Sequence, residues 1–491
     1  MQALKSELEN ALSGIIAQMD KAEELHKAEL ASMAANHSLG ARNLLHYLIL
    51  RSTDISELQR ELSAKGLSAL RFAEADARNN LLAVLEWLQQ GQNQTRLNID
   101  ENLDALHANA QVLFNQNGPF PLPMVTLAAE LLNQPKEIES LILAGMRVAR
   151  INCGHDEADT WTALASETKK AADHLQLPCA VYFDLSGPKL RIKSIKNAKG
   201  TKVKSARLAV GDVIWLEESG ALALAESKAW HMRSTIKGWI GKLSVGQMVY
   251  FDDGLVRAQV ESVQPLKTRL RVVFAVGDST KIKVQAGIQV PEAELDLPAL
   301  TDSDLIDLQA VLPYADIMGL SFVHQAQDVA QMRGILEASG RNVGLVIKLE
   351  TAPSIESLPE LLFELMRYPR AGVMIARGDL GLALGFERLS EIQEEILWLC
   401  EAARLPVIWA TQVLEKLVKT GLPSRAEITD AAMSVRAECV MLNKGAHQIE
   451  ALNALLSIFH HMNGHMRKKR LLMRPLQLAK NYVNQHFEPK P

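Results

Sequence analysis

Cysteine is scarce in this sequence and never stands in a metal-binding spacing. The 491 residues include four cysteines, each in its own apolar stretch and none in a C-x-x-C pair: Cys153, Cys179, Cys400 and Cys439. This distribution excludes a disulfide framework and a thiolate metal site. We expect four small buried side chains in a reducing compartment.

The sequence also lacks a strong charge excess and a long apolar run. The formal net charge is −4 and charged residues make up 22%, which argues against nucleic acid as a partner. One basic cluster, 467–470, is predicted to be a solvated helix end. No apolar run approaches the ~20 residues of a membrane span. The N-terminus mixes acids into a helical pattern, unlike a signal or transit peptide. We therefore predict a cytoplasmic protein that binds neither nucleic acid nor membranes.

An N-terminal helical region is predicted over residues 1–118. Apolar residues recur at three- and four-residue steps in ARNLLHYLILRS and LSALRFAEADARNNLLAVLEWL, a spacing typical of amphipathic helices. One glycine and three prolines in NQNGPFPLP mark its end. The region contains no cluster of His, Asp and Glu and no glycine loop, so we predict a helical bundle without chemistry of its own.

Beyond this boundary, short β-rich runs alternate with helical patterns. The runs are PMVTL, MRVARINC, CAVYFDL, ADIMGLSF, VGLVIKLE, AGVMIARGD, LPVIWAT and ECVMLN. Eight β-α repeats predict an α/β fold, a closed (β/α)8 TIM barrel, formed by residues 119–193 and 285–465 with a tail at 466–491. A doubly wound open sheet is the alternative, although it usually begins with a glycine-rich nucleotide turn, which is missing here.

The interval after the third run is too long for one crossover helix, at about 120 residues where a dozen or more suffice. Its centre, 194–284, is rich in Val, Leu, Ile and Gly, as in VGQMVYFDDGLVRAQVESV. We predict a small all-β domain inserted after the third strand. Such a loop lies over the carboxyl-end face of a barrel, so the domain is expected to act as a lid.

Polar residues stand at the ends of nearly all the β-rich runs. They are Arg150, Asn152, Asp184, Ser321, Lys348, Glu350, Arg377, Asp379, Thr411 and Asn443. In a barrel all of them converge on one rim, where barrel enzymes carry out their chemistry. Any one of them could be structural, such as an ion pair of Lys348 with Glu350 on one strand face, but the whole set indicates a site.

The residue types on this rim indicate a specific chemistry. Glu350 and Asp379, without His or Cys nearby, suit a hard cation such as Mg²⁺ or Mn²⁺. Lys348 and Arg150 add positive charge, which an anionic, phosphorylated substrate needs as charge moves during transfer. Thr411 supplies a hydroxyl for relaying a proton.

The motifs resemble those of the pyruvate kinase family. AGMRVARINCGH, DLSGPKLRI, FDDGLV, VIKLET, MIARGDLG and WATQVLEKLVKTGLPSRAEITDAA follow the family's order and spacing over about two thirds of the chain, from 124 to 455. The resemblance implies phosphate transfer from phosphoenolpyruvate to ADP, giving pyruvate and ATP, with Mg²⁺ or Mn²⁺ as cofactor. A homo-oligomer is also implied, through interfaces that the sequence does not identify.

The resemblance also assigns roles to individual residues. Lys348 would sit against the transferred phosphoryl group, with Arg150 as a third catalytic residue beside Lys348 and Thr411. Glu350 and Asp379 would hold the divalent ion. Thr411 would lie beside the carbon that is protonated. The residues implied in substrate and phosphate binding are Arg150, Arg191, Ala376, Arg377, Gly378, Asp379 and Thr411, and those toward the nucleotide are Arg150, His155 and Asp253.

One departure concerns the family's monovalent-cation site. Asn152, Asp184 and Leu185 match it, but Gly154 stands where Ser is usual. Lys189 occupies a position that is Glu in potassium-dependent members, and its ammonium could supply the charge that K⁺ would bring. We therefore expect that K⁺ is not required.

Other departures leave alternatives open. Ala128, Ala129, Glu130 and Leu131 replace the usual Gly-Pro-Ala-Ser loop after the first strand, and MLNKGA replaces an acidic sequence after the eighth. The chain continues too briefly to include the family's C-terminal regulatory domain, so control through that domain is not expected. The N-terminal region has no match in ordinary members. A non-catalytic relative that binds an effector, and a metal-dependent enzyme acting on another enol or keto acid, are the alternatives.

Overall fold

The computed structural model describes residues 2–68, 70, 73–91, 95, 99–218, 229–290, 297–462 and 475–487. The predicted basic cluster at 467–470 and the first part of the predicted tail lie outside these residues. The helices are α1 (Gln2–Leu25), α2 (Lys27–Ala31), α3 (Ser38–Arg51), α4 (Ser56–Ala64), α5 (Ala77–Gln90), α6 (Ile99–Phe114), α7 (Pro135–Leu143), α8 (Ala158–Leu175), α9 (Asp302–Val311), α10 (Ala326–Ala338), α11 (Ala352–Glu356), α12 (Leu358–Leu365), α13 (Arg377–Leu384), α14 (Phe386–Ala403), α15 (Glu415–Thr420), α16 (Arg425–Met433), α17 (Gln448–Met462) and α18 (Gln477–His486). Short 3₁₀ helices cover Ala129–Asn133, Ile240–Lys242 and Ser434–Arg436.

The strands are numbered in the same way along the chain. They are β1 (Leu122–Thr126), β2 (Val148–Asn152), β3 (Ala180–Asp184), β4 (Ile192–Lys196), β5 (Lys202–Val203), β6 (Ser205–Leu208), β7 (Val213–Glu217), β8 (Trp230–Ser234), β9 (Met248–Phe251), β10 (Val256–Gln264), β11 (Lys267–Ala275), β12 (Thr280–Lys283), β13 (Ile288–Gln289), β14 (Ile317–Leu320), β15 (Gly344–Leu349), β16 (Ala371–Ala376), β17 (Val407–Ala410) and β18 (Cys439–Leu442).

Eight parallel strands close into a barrel in the order β1-β18-β17-β16-β15-β14-β3-β2. The barrel closes because β1 pairs with both β2 and β18, for example at Val125, which faces Ala149 and Leu442. Each barrel strand lies in one of the eight predicted β-rich runs, except that β1 begins one residue earlier, at Leu122. Seven of the strands are buried along their whole length, as both faces of a parallel sheet require. The predicted TIM barrel is confirmed, and the open sheet is excluded.

The amino end of the barrel is closed by the last turn of α6. Leu113 and Phe114 are fully buried in the same apolar cluster as the inward side chains of the strands. A Cβ atom built on Gly344 or Gly372 would lie 2.8 or 2.5 Å from a methyl carbon of Leu113, so the helix can approach this closely only because glycine is the first residue of β15 and the second of β16. Helix α6 therefore plugs the barrel.

The predicted inserted domain is confirmed as an all-β unit between β3 and α9. It contains an eight-stranded sheet, in the order β13-β9-β10-β11-β7-β8-β4-β5, and the two-stranded sheet β12-β6. A separate apolar cluster, with Trp239 and Phe251 fully buried, forms its core. The strands run from Ile192 to Gln289, slightly wider than the predicted 194–284. Arg191 and Gly287 form a further isolated bridge at the stem.

Of the remaining N-terminal helices, α3 packs against α14 on the outside of the barrel and α1 and α5 pack against α3, so their apolar residues share one continuous core with the barrel. Helix α3 lies directly on α14: a Cβ on Gly40 would be 2.3 Å from the Ala403 carbonyl oxygen. The Asn43 side chain donates to the Ala402 carbonyl at 3.1 Å. The predicted helical region therefore exists and is bound to the barrel rather than separate from it.

The C-terminal helix α18 returns to this same side. The Leu476 amide donates to the Arg51 carbonyl at 2.9 Å, and Tyr482 stacks on Phe363 of α12. Among the described residues, no helix combines the length and the apolarity that crossing a membrane requires.

Candidate active site

The carboxyl ends of the barrel strands surround a cavity of about 380 Å³. The predicted site residues that line it are Arg150, Asn152, Leu185, Lys189, Arg191, Asp253, Lys348, Glu350, Ala376, Gly378, Asp379, Thr411 and Asn443. Parallel strands of a closed barrel all end on one face, which brings residues from distant parts of the chain together. Four predicted residues are not part of the lining: Asp184 and Ser321 are buried beside it, Arg377 is directed elsewhere and His155 is exposed.

Asp184 is the centre of a buried group of charges. Arg150 donates from Nε and Nη2 to Asp184 Oδ2, at 2.9 and 2.5 Å, and Lys348 Nζ lies 3.1 Å from Asp184 Oδ1. Burial acts to raise the pKa of Asp184, but the charges of Lys348 and Arg150 outweigh it and hold that pKa below its ordinary value. Asp184 is therefore ionised, and it fixes both cations.

Lys348 is held by three groups at the floor of the cavity. Its ammonium donates to Ser321 Oγ at 2.8 Å and lies 3.5 Å from Glu350 Oε2, besides its contact with Asp184. Burial acts to lower the pKa of Lys348, yet the two carboxylates raise it above its ordinary value. The side chain is 11% exposed, so a permanent positive charge faces the cavity from a fixed position.

Thr126 completes this group and was not predicted. Arg150 Nη1 donates to Thr126 Oγ1 at 3.0 Å, and Gln448 holds the Thr126 carbonyl at 2.9 Å. Thr126 is the last residue of β1, so the same strand-end rule that selected the other residues would have identified it. Thr126 and Asp184 together fix the orientation of the Arg150 guanidinium.

Glu350 and Asp379 are the two cavity carboxylates predicted to bind a metal ion, and Asp253 and Glu415 also line the cavity. Glu350 Oε1 accepts a hydrogen bond from the Phe322 amide at 2.7 Å. Burial raises the pKa of Glu350 above its ordinary value, and the negative charge of Asp379 adds to this effect. A cation placed between Glu350 and Asp379 would favour the ionised form of both carboxylates.

Asp379 is paired with Lys189. The Lys189 ammonium donates to Asp379 Oδ1 and Oδ2 at 2.9 and 2.8 Å. Burial acts to raise the pKa of Asp379, but Lys189, and then Lys348, hold it below its ordinary value. Lys189 was predicted beside Asn152, Asp184 and Leu185. It lines the same cavity as Asn152 and Leu185, but its ion pair is with Asp379.

The donor set fits a divalent ion of the magnesium type. Within the described ranges no group of three or more His, Cys, Asp or Glu side chains is arranged to hold a metal. Mg²⁺ does not need such a cage, because it is commonly bound by one or two carboxylates together with water and substrate phosphate oxygens. Glu350 and Asp379 match that pattern.

The loop after β17 places Thr411 against the start of α13. Gly378 donates its amide hydrogen to Thr411 Oγ1 at 2.7 Å. Thr411 has a φ of 64°, which is unusual for a β-branched residue and costs about 1–3 kcal/mol. The Thr411 hydroxyl is thus held at the cavity wall by a strained backbone.

Arg377 anchors this loop and is directed away from the cavity. Its Nε donates to the Ala410 carbonyl at 3.1 Å and its Nη2 to the Thr411 carbonyl at 2.7 Å. The guanidinium forms a two-point ion pair with Asp430 and lies over the Trp409 ring. The side chain of Arg377 therefore positions Thr411, and only its backbone lies near the site.

Arg191 and Asn152 meet above Gly154. Asn152 Oδ1 accepts the Gly154 amide hydrogen at 3.0 Å. A Cβ atom on Gly154 would lie 3.1 Å from Asn152 Oδ1 and 3.2 Å from Arg191 Nη2. The absence of a side chain at Gly154 leaves room for the Arg191 guanidinium. The Ser321 hydroxyl donates a hydrogen bond to the Leu185 carbonyl, with an oxygen–oxygen distance of 2.5 Å.

The inserted domain contributes Asp253 from a tight turn. Asp252, Asp253 and Gly254 all have positive φ, at 52°, 55° and 81°, and Gln289 donates to Asp253 Oδ1 at 3.0 Å. A Cβ atom on Gly254 would lie 3.5 Å from a methyl carbon of Leu382. The tip of this turn therefore rests on α13 of the barrel.

Two further parts of the rim depart from expectation. After β1, the loop forms the 3₁₀ helix Ala129–Asn133, and Glu130 is exposed outside the cavity lining. Glu415 and Lys419, which were not predicted, line the cavity one helical turn apart and form an ion pair. Asn443 donates to Glu415 Oε2 at 2.9 Å. Glu415 and Lys419 lie on α15, which follows β17. A search limited to strand ends could therefore not identify them.

Comparison with known proteins gives one consistent family. The model of the pyruvate kinase barrel domain matches residues 124–450. Curated relatives include pyruvate kinases of Dictyostelium discoideum (29% identical, covering 65% of this chain and 61% of the relative), Bacillus licheniformis (27%, 69% and 56%) and Leishmania mexicana (28%, 65% and 63%). The chain spans about three fifths of the length of these relatives.

Proposed function

Because the chain belongs to the pyruvate kinase family, we propose that it transfers the phosphoryl group of phosphoenolpyruvate to ADP, giving pyruvate and ATP. The setting of Lys348 is the observation that carries this proposal. A permanently charged ammonium lies in one cavity with two carboxylates and the Thr411 hydroxyl. A fixed cation next to ligands for Mg²⁺ suits the charge movement of phosphoryl transfer.

In the proposed reaction, an oxygen of the terminal phosphate of ADP attacks phosphorus while the bond to the enol oxygen breaks. Lys348 neutralises the transferred group from the cavity floor, and Arg150 and Arg191 contact phosphate oxygens. Asp253 and His155 lie toward the nucleotide. A Mg²⁺ or Mn²⁺ ion held by Glu350 and Asp379 would supply Lewis-acid stabilisation of the phosphate charge.

The remaining enolate needs a proton at carbon, and we assign its relay to Thr411. A hydroxyl has one hydrogen to donate and can accept two. Since Thr411 Oγ1 accepts the Gly378 amide hydrogen, its own hydrogen stays available to the substrate. The backbone at the start of α13, around Ala376, Arg377 and Gly378, would receive the substrate carboxylate through helix polarity, which favours an anion. The Gly378 amide hydrogen itself is donated to Thr411 Oγ1.

We further propose that the reaction does not require K⁺. Gly154 replaces a serine of the family's cation site, and Lys189 brings an ammonium group into the cavity that Asn152 and Leu185 also line. The cytoplasmic location and the homo-oligomeric state remain predictions from the sequence.

A non-catalytic relative that keeps the binding site is the second candidate. The exposed Glu130 in the loop after β1, in place of a glycine turn, favours it, as does the occupation of Asp379 by Lys189.

The test is pyruvate formation from phosphoenolpyruvate, ADP and Mg²⁺, with Na⁺ or K⁺ as the monovalent ion. We expect turnover of about 1 s⁻¹ or more, equal within twofold in both salts. A tenfold higher rate in K⁺ would contradict potassium independence. Lack of turnover in both salts, with Mg²⁺ and phosphoenolpyruvate still raising the melting temperature, would favour the non-catalytic relative. Turnover of another enol or keto acid instead would favour a different metal-dependent enzyme.

Replacing Lys348 tests the mechanism. Lys348→Met should lower kcat about 100-fold or more, the effect of removing one preorganised electrostatic group. Lys419→Met is the matched control, because it removes a cation from the same cavity that is paired with Glu415 instead. A Lys348→Met variant with more than a tenth of normal turnover would remove Lys348 from the mechanism.

A further inference from the structure

Two different cations are expected to interact with the Asp379 carboxylate. It is the proposed ligand of a divalent ion, and both of its oxygens accept hydrogen bonds from Lys189. We propose that Lys189 is a built-in counter-cation of Asp379, which a divalent ion must displace from at least one carboxylate oxygen before it binds. The inference rests on the proposed function only in taking Asp379 and Glu350 as the metal ligands.

The geometry of the pair supports competition. The two contacts, at 2.9 and 2.8 Å, are charge-assisted hydrogen bonds at full strength. The side chains of Lys189 and Asp379 are 22% and 19% exposed, so water and salt screen the pair less than an ordinary surface ion pair. A metal ion at Asp379 therefore has to replace a strong interaction rather than fill a free carboxylate.

The stem of the inserted domain holds Lys189 in this position. Lys189 lies just before β4, and a Cβ atom on Gly287, just before β13, would lie 3.7 Å from Lys189 Cε. The chain before the first strand of the insert and the chain before its last strand therefore pack against each other at the residue that pairs with Asp379. Packed backbone holds the Lys189 ammonium next to the Asp379 carboxylate, which keeps the effective concentration of the ammonium there high.

Glu350 is neutralised less completely. Its nearest cation is Lys348 at 3.5 Å, which also serves Asp184 and Ser321. The two carboxylates therefore differ in what a metal ion meets. Asp379 carries its own cation, and Glu350 shares one. A divalent ion therefore has to break an existing ion pair at Asp379. This makes Lys189 the residue that sets the affinity for the divalent ion before substrate binds.

The experiment measures Mn²⁺ binding to the full chain without substrate, from the electron paramagnetic resonance signal of free Mn²⁺. Lys189→Gln should bind Mn²⁺ at least tenfold more tightly than the unmodified chain. Lys419→Gln, which removes the same charge from the same cavity but from Glu415, should change the affinity less than threefold. Lys189→Arg keeps the ion pair and should also stay within threefold. Equal affinities for Lys189→Gln and the unmodified chain would overturn the proposal.

A double-mutant cycle separates direct competition from the general field of a lysine. In an Asp379→Asn background, Lys189→Gln should change Mn²⁺ affinity less than threefold, because the carboxylate for which both cations compete is gone. A tenfold gain that persists in this background would show a field effect and overturn direct competition. Circular dichroism melting of each variant verifies that it is folded.

The outcomes also separate this inference from the proposed function. Mn²⁺ binding that is insensitive to Lys189, together with pyruvate formation, would overturn only the competition. An absence of Mn²⁺ binding in every variant would overturn both the competition and the assignment of Glu350 and Asp379 as metal ligands.

Discussion

The two ends of the barrel are built from the same strands in opposite ways. Strand β15 shows the contrast within five residues. At its amino end, Gly344 packs against Leu113 of the α6 plug, and at its carboxyl end Lys348 faces the cavity. The amino end is apolar and closed. The carboxyl end contains fixed charges, strained backbone and open space.

The difference lies in how polar groups are satisfied. At the amino end, Arg370 donates to the carbonyls of Val112 and Leu113 at 3.0 and 2.9 Å, which satisfies groups at the end of α6. At the carboxyl end, Arg150, Asp184 and Lys348 satisfy one another, and Thr411 holds a costly φ. The comparison predicts that changes at the amino end alter stability and that changes at the carboxyl end alter activity.

Leu113→Ala at the amino end gives the largest effect. Leu113 is fully buried in the barrel core, and truncating such a leucine costs about 2–5 kcal/mol. We expect the free energy of unfolding, measured by urea denaturation, to fall by this amount while kcat for pyruvate formation at 25 °C stays within twofold.

Val112→Ala is the control for this variant. Val112 is the preceding residue of α6 and is 43% exposed, so its truncation should change the unfolding free energy by less than about 0.5 kcal/mol. Equal losses for the two variants would mean that burial of Leu113 in the plug does not explain the result. A large fall in kcat for Leu113→Ala would break the division between the two ends.

The sequence predicts the carboxyl end better than the amino end. Buried runs in the spacing of eight β-α repeats were sufficient for the barrel, and the ends of those runs located most of the polar residues of the cavity. Helical periodicity in the N-terminal region gave the helices but not their packing. Nothing in the spacing of α6 distinguishes a helix that plugs a barrel from one that lies on its surface.

Side-chain direction could not be predicted even at the carboxyl end. Arg377 and Asp379 were expected near the substrate together, but Arg377 turns to Asp430 and the Thr411 loop. Lys189 reaches Asp379, which is 190 residues away along the chain. Strand-end position fixes which rim a residue joins. The choice among several oppositely charged partners depends on three-dimensional packing.

Glu438, at the amino end of the barrel, extends the comparison to the effect of pH on stability. It lies just before β18, is buried, and accepts the Val407 amide hydrogen at 2.8 Å. Burial raises its pKa from 4.5 to about 8, so the folded chain keeps a proton that the unfolded chain releases. The contribution of Glu438 to the free energy of unfolding is therefore largest below about pH 4.5, and it is lost as the pH rises toward 8.

Glu438→Gln should remove that pH dependence. Between pH 6 and 7.5 the unfolding free energy of the unmodified chain should fall by about 1–2 kcal/mol more than that of the variant, measured by urea denaturation at each pH. The exposed Glu130→Gln serves as control and should follow the unmodified chain. Parallel pH profiles for Glu438→Gln and the unmodified chain would contradict the assignment.

Asp430→Asn should give the smallest effect and test the other side of the comparison. Asp430 touches no cavity residue of the proposed mechanism directly. It holds the guanidinium of Arg377, which donates to the carbonyls of Ala410 and Thr411. Asparagine keeps one acceptor and loses the charge, so the strained Thr411 loop should relax slightly. We expect kcat to fall about three- to tenfold, which corresponds to about 0.7–1.4 kcal/mol, with the unfolding free energy changed by less than that amount.

The control for Asp430→Asn is Glu394→Gln, which breaks a similar arginine–carboxylate pair, because Arg436 donates to Glu394 and to the Met433 carbonyl instead of to the Ala410 and Thr411 carbonyls. It should leave kcat unchanged. If both variants lower kcat equally, Asp430 acts through general stability. If only Asp430→Asn lowers it, a surface-accessible carboxylate that lies outside the cavity positions the Thr411 hydroxyl. Activity would then depend on the carboxyl end as a supported unit, whereas the plugged amino end contributes only to folding.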